Sequence, residues 1–237
     1  MDSSVFISRV REALGKPAGA APPSYAGLRE SLQEVATRAR EAHERNAAQR
    51  AELLDALADM SAKAGWKVAR RPSVEAALGY MSELAASKQA RRVVHTTHPV
   101  FRRLPLHGAF PDLERTPLVQ GNSLTPQELR QKANEADLGV TGVDFAIAET
   151  GTCVLIGRRG ASRLVSLLPP VHVAVVEPEQ VVASLDDVFL ARKLAYLQGE
   201  MASYMNFISG PSRTGDIEQT IIVGAHGPGE THLLILG

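Results

Sequence analysis

The sequence predicts an α/β fold: a mainly parallel sheet flanked by helices, with a helical N-terminal extension. Three observations carry this. Residues 67–95 follow a strand–helix–strand order. Val171–Val176 is a continuous β-branched run, as suits a strand buried on both faces. Residues 28–64 repeat apolar side chains at helical spacing.

A short leading helix precedes Gly15–Ser24, a stretch punctuated by Pro17, Pro22 and Pro23. Leu28, Leu32, Val35, Ala39 and Ala42 then recur at steps of three and four, and Leu53, Leu57, Met60 and Ala64 resume the stripe. Asn46 and Gln49 interrupt it with polar groups. This describes one long helix with an exposed middle or two helices with a break; as a sharper alternative, it is a packing arm for a partner subunit. Gly65 stops the helix. Residues 1–64 therefore form the helical extension and 65–237 the α/β domain.

Lys67–Arg70 reads as a strand, Ser73–Ser87 as a helix capped by Ser73, and Arg92–His95 as a second strand. Four prolines make residues 96–121 mostly loop, and Pro126 opens a helix over Thr125–Ala136. Asp144–Glu149 and Thr152–Ile156 are two apolar runs split by Thr150-Gly151, a hairpin signal. A helix over Asp186–Gly199, with Asp186 as cap, precedes short strands at Asn206–Ser209, Thr220–Gly224 and Thr231–Leu236.

Composition narrows the function. There are 26 Lys plus Arg and 26 Asp plus Glu, so zero net charge argues against a general nucleic-acid surface while leaving room for a local basic pocket. The single cysteine, Cys153, is too few thiolates for a disulfide framework, a thiolate zinc site or an iron–sulfur cluster, and fits a reducing cytoplasm. No apolar run approaches the roughly 20 residues that span a bilayer, and residues 1–15 do not read as a signal peptide. A soluble cytoplasmic protein is expected, without a membrane or nucleic-acid partner and without its own metal.

Three places offer chemistry. Period-two alternation puts Phe145, Ile147 and Glu149 on one face; a carboxylate on an apolar strand end beside Gly151 needs a partner or a raised pKa. Glu149 is therefore a catalytic candidate, or a plain turn glutamate, with Thr150 and Gly151 beside it. The second place runs from Ser209 to Glu218. Gly210, Ser212, Arg213, Thr214 and Asp216 suggest an anion-binding loop in which Arg213 grips a carboxylate or phosphate, or else a structural turn with a local ion pair. The third is Gly224–Gly229, where His226 is a proton carrier or a structural loop histidine. His226 and His232 lack metal-site spacing. His95 and His98, in Val-Val-His-Thr-Thr-His-Pro, end a strand either as a ligand site or in a loop. His172 reads as a core histidine, and Cys153 has no base beside it.

Gly139–Thr152, Arg163–Pro169 followed by a strand with His172, and Ser209–Ser212 with Asp216–Glu218, Gly224 and His226–Pro228 together resemble the LUD-domain family, in detail over the C-terminal half and in outline over the chain. The resemblance implies a fold similar to the ribose-phosphate isomerase and CoA-transferase group. It also implies a part in oxidising L-lactate to pyruvate with companion proteins that carry the iron–sulfur clusters. This chain would be the cluster-free subunit, binding no cofactor alone; which member binds lactate the resemblance does not settle, and it is the Arg213 loop chemistry that suggests a small carboxylate such as lactate here. Two alternatives stand beside it: a non-catalytic scaffold or regulatory module, and a stand-alone enzyme acting on a sugar phosphate or CoA ester. The resemblance supplies no catalytic residues, so the site candidates rest on the chemistry above.

Overall fold

The computed structural model describes residues 3–15, 30–119, 124–215 and 221–237. Pro17, Pro22, Pro23, Leu28, Asp216 and Glu218 lie outside the described residues.

Helix α1 (Ser3–Ala13) leads, followed by α2 (Leu32–Ala48) and α3 (Arg50–Ala64). Ser31 and Glu34 form a capping box at the start of α2. The break between the two long helices falls at exposed Gln49. Asn46 departs from the expected exposed middle: it is buried, its Nδ2 donates to the Asp187 carboxylate (3.2 Å) and its Oδ1 accepts the Ala183 N–H (3.3 Å). A polar residue in an apolar stripe is here a satisfied buried hydrogen-bonding group.

Next come β1 (Lys67–Arg71), α4 (Val74–Ser87, capped by Ser73) and β2 (Arg92–His95). The segment expected to be mostly loop holds two short helices, α5 (Val100–Arg103) and α6 (Leu106–Ala109), and strand β3 (Glu114–Pro117). The prolines punctuate rather than prevent structure, because Val100, Leu104, Leu106 and Phe110 are buried in the core and β3 pairs with β2 at the sheet edge. Helix α7 (Pro126–Glu135), with a Thr125/Glu128 capping box, leads to β4 (Leu138–Gly142).

The hairpin is β5 (Phe145–Ile147) with β6 (Thr152–Ile156), antiparallel as expected, but its first strand ends before Glu149. Then follow α8 (Leu164–Leu167), β7 (Val171–Val176), a 3-10 turn at Pro178–Gln180, β8 (Val181–Val182) and α9 (Leu185–Leu197). The cap position of α9 is Ser184; Asp186 instead sits in the first turn, where its charge suits the helix dipole. The chain closes with β9 (Met205–Ile208), β10 (Arg213–Gly215), β11 (Ile221–Val223) and β12 (Glu230–Leu236).

Six strands form a wholly parallel sheet in the order β1-β12-β7-β4-β2-β3. Every residue of β7 is buried, with Val171, Val173 and Val175 in one core and Ala174 and Val176 in the other. The first core is covered by α4, α5 and α6. The second is closed by α3, through Leu54 and Leu57, and by a mixed sheet, β8-β5-β6-β9, through Ala146, Cys153 and Leu155. The opposite side chains of that small sheet, Ile147 and Val154, pack with Val188 of α9.

Strand order positions the site. From β2 the chain steps outward to β3, then returns past β2 to β4, and from there moves the other way through β7 to β12. The reversal lies between β2 and β4. Open α/β sheets bind ligands at the carboxyl ends of strands flanking such a switch.

Candidate functional site at the ends of strands β2 and β4

Beyond β2 the chain continues as Thr96, Thr97 and His98, and beyond β4 as Val143 and Asp144. The Thr96 N–H donates to Val140 O (3.1 Å) and the Gly142 N–H to Thr96 Oγ1 (3.4 Å), which ties the two exits together. A Cβ at Gly142 would overlap the His98 ring, so glycine lets the imidazole lie against the end of β4.

His98 Nε2 is 3.8 Å from Asp144 Oδ1, and the His98 side chain is only 8% exposed. Asp144 is fixed from two sides: Arg158 Nη1 donates to Oδ1 (2.5 Å) and the Ile156 N–H to Oδ2 (2.7 Å). His98 Nδ1 accepts the Val100 N–H (3.3 Å), which assigns the proton of the neutral ring to Nε2, facing Asp144. Burial lowers the His98 pKa, while the Asp144 charge pulls the other way and Arg158 adds to the lowering. The ring is therefore neutral at neutral pH. A separation of 3.8 Å is too long for a direct hydrogen bond and leaves Nε2–H free to donate to a ligand oxygen. Arg158 uses one N–H on Asp144 and keeps others for an anion. The site can thus bind and orient an anionic oxygen compound.

Arg158 also lines a cavity of about 850 Å³, bounded by Gly157–Leu164, Leu118, Ser203 and Tyr204. The Thr97 N–H donates to Gly160 O (2.8 Å), joining the cavity loop to the exit of β2.

The residues nominated from sequence sit elsewhere. Glu149 is on an exposed turn, not on an apolar strand face, and its carboxylate accepts the Leu185 N–H at the start of α9 (3.0 Å). Thr150 Oγ1 donates to Thr152 Oγ1 (2.8 Å), which is 2.7 Å from Ser209 Oγ. Gly151 rests on the Met60–Ser61 backbone and Gly210 on the carbonyl of Ala64. Arg213, in β10, lays its exposed guanidinium against Gly65 and has no ion pair among the described residues. Thr214 pairs with Ile222 across β10–β11. The Ser212 N–H donates to Pro228 O (3.0 Å), and Ser212 Oγ accepts the N–H of exposed His226 (3.2 Å).

Ser212, Arg213 and His226 therefore gather near the amino ends of β1 and β12, and Thr150 and Gly151 reach that region through Ser209 and α3. Glu149 is bound at α9. The switch-point trio lies at the other end of the sheet.

Of the trio, sequence reasoning raised His98 only as an open possibility and did not single out Asp144 or Arg158. The available signal was a strand ending in His-Thr-Thr-His-Pro together with three arginines in Arg158–Arg163 after another strand. His172 is a core histidine as expected: burial lowers its pKa to about 3, and Thr141 Oγ1 lies 2.9 Å from its Nε2. Cys153 is fully buried, which pushes its thiol pKa up and argues against a nucleophile. Among the described residues no group of three His, Cys, Asp or Glu is placed to hold a metal, and no helix is long and apolar enough to cross a membrane.

Comparison with known proteins gives the chain its relatives. The chain is similar to Lactate utilization protein C of Halalkalibacterium halodurans, 36% identical over 140 residues, which is 59% of this chain and 60% of that protein. It is also similar to Lactate utilization protein C of Shouchella clausii, 42% identical over 100 residues, covering 41% and 43% of the two chains. The matched segment thus spans from about two-fifths to three-fifths of these relatives' length. A crystal structure of a DUF162 family protein from Deinococcus radiodurans shares the fold, with a TM-score of 0.56 at 23% identity over 79% of this chain and 98% of that one. The LUD domain family model matches residues 28–236, nearly the whole α/β body with α2 and α3, and the chain belongs to the LUD-domain family.

Proposed function

We infer that this chain acts in L-lactate utilization, as the cluster-free member of a cytoplasmic multi-protein system that oxidises L-lactate to pyruvate. It holds the small carboxylate at the ends of β2 and β4. The name carried by its relatives supports the process, and the placement of His98, Asp144 and Arg158 at the topological switch supports the site. Arg158 grips the substrate carboxylate with the N–H groups it does not spend on Asp144. His98 donates from Nε2 to a substrate oxygen. The electrons leave through partner proteins that carry iron–sulfur clusters.

The test is lactate-dependent reduction of an artificial acceptor by the reconstituted proteins. Omitting this chain abolishes the rate. His98→Gln and Arg158→Ala each lower it at least tenfold, and Arg213→Ala, Glu149→Gln and His226→Ala lower it less. An unchanged rate without the chain removes the role. A required chain with silent His98 and Arg158 variants moves the site, to the Arg213–His226 region if those variants are the damaging ones. Silence of all five variants leaves the scaffold alternative.

A further inference from the structure

We propose that the cavity beside Arg158 binds a phosphate-bearing ligand of nucleotide size, with Arg159 and Arg163 holding its phosphates. The inference rests on the reading above only in placing the working site at the ends of β2 and β4.

Size is the first observation. The cavity measures about 850 Å³. Pockets of roughly 300–1,000 Å³ enclose drug-sized molecules, so a three-carbon acid leaves most of this space filled with water. A second ligand, or a much larger one, belongs there.

Charge is the second. Three guanidiniums and, among the described residues, no carboxylate line the cavity. Arg158 is neutralised by Asp144. Arg159 and Arg163 have no ion pair among the described residues. The wall therefore carries two uncompensated positive charges in a chain whose formal net charge is zero. A monocarboxylate balances one of them, whereas a phosphate group, with up to two negative charges at neutral pH, balances both. Planar guanidiniums bind phosphate oxygens in pairs, which a lysine in the same place does less well.

The wall is also held in shape. The Tyr204 hydroxyl donates to Ala161 O (3.0 Å), the Gly157 N–H donates to Tyr204 O (2.8 Å), and the Arg163 guanidinium lies over the Tyr204 ring at 5.7 Å. Leu164 and Tyr204, both half-buried in the wall, supply apolar surface for the part of the ligand that is not phosphate. Arg158 closes the near end, so a small carboxylate beside His98 and a phosphorylated molecule in the cavity would be neighbours.

Isothermal titration of the full chain with ADP, inorganic pyrophosphate and L-lactate tests this. ADP binds at least tenfold tighter than pyrophosphate. The double variant R159A/R163A weakens both at least tenfold, and R159K/R163K, which keeps the charge, falls between. Far-ultraviolet circular dichroism establishes that the variants fold. The proposal is overturned if the wild type binds neither probe, if the folded double variant binds both as the wild type does, or if pyrophosphate matches ADP. The lactate arm separates the two claims. Loss of lactate binding in R158A with ADP binding retained supports both. ADP binding without any lactate binding removes the carboxylate reading alone, and lactate binding without ADP binding removes this proposal alone.

Discussion

The Glu149 carboxylate accepts the backbone N–H of Leu185, 36 residues further along the chain, so the turn of the β5–β6 hairpin caps helix α9. Ser184, at the cap position, makes no side-chain cap bond. Glu149 therefore takes the part that a serine or aspartate commonly plays. Glu149→Ala lowers the unfolding free energy by about 1 kcal/mol, the usual cost of a lost cap, and Glu149→Gln lowers it less. Urea unfolding monitored by circular dichroism checks this. If the alanine variant matches the wild type, the cap carries no energy.

Asn46 joins α2 to the start of α9 by contacting Asp187 and the Ala183 N–H in a buried setting, with Arg45 on the other Asp187 oxygen (2.7 Å). Asn46→Leu repairs the apolar stripe on paper but strands both polar partners. A cost of about 2–3 kcal/mol in urea unfolding follows, because buried groups left without hydrogen bonds are expensive. A leucine variant as stable as the wild type would falsify the assignment of Asn46 as a required polar contact.

Gly142→Ala probes the site without replacing any of its functional side chains. The added methyl overlaps the His98 ring and pushes it out from beside Asp144. Burial holds the His98 pKa low in the native site, so a displaced, better-solvated ring titrates closer to the ordinary value of 6.5. Nuclear magnetic resonance titration of the imidazole reads this as an upward shift. No shift would place the ring elsewhere.

Acid should weaken the fold at a defined point. Glu230 opens β12 and takes hydrogen bonds from Lys88 (2.8 Å) and from His232 (2.7 Å), with Lys67 at 3.0 Å. Burial alone would raise its pKa, but these partners outweigh it and hold the carboxyl at about 2, below the ordinary 4.5. The lowered value stabilises the native state above pH 4.5, and the contribution is lost as pH falls through 2. Solvent screening of these part-exposed partners discounts the shift, so Glu230→Gln costs about 1 kcal/mol at pH 7 and almost nothing near pH 2. Denaturation curves of both proteins at several pH values measure the gap, which should close on acidification; a constant gap contradicts this origin.

The elements were legible where local chemistry decides them. Ser73, Thr125 with Pro126, and the β-branched run of β7 all announce themselves through capping and burial. Short helices α5 and α6 did not, because each is a single turn stabilised by core contacts of Val100, Leu104 and Leu106 rather than by periodicity. The site was less legible still. His98, Asp144 and Arg158 come from three separated segments, and only the return of the chain past β2 to β4 brings their strand ends together. Glu149, by contrast, falls on a buried apolar face only if β5 runs on to residue 149; the strand ends at Ile147 and leaves Glu149 on an exposed turn.

Titrating L-lactate into the full chain while following the His98 imidazole resonances tests the central claim most directly. A bound carboxylate beside the ring produces saturable shifts at His98 and raises its pKa, and Arg158→Ala removes both effects. Shifts confined to His226, with His98 unmoved at saturation, would contradict the account and place the carboxylate at the opposite end of the sheet.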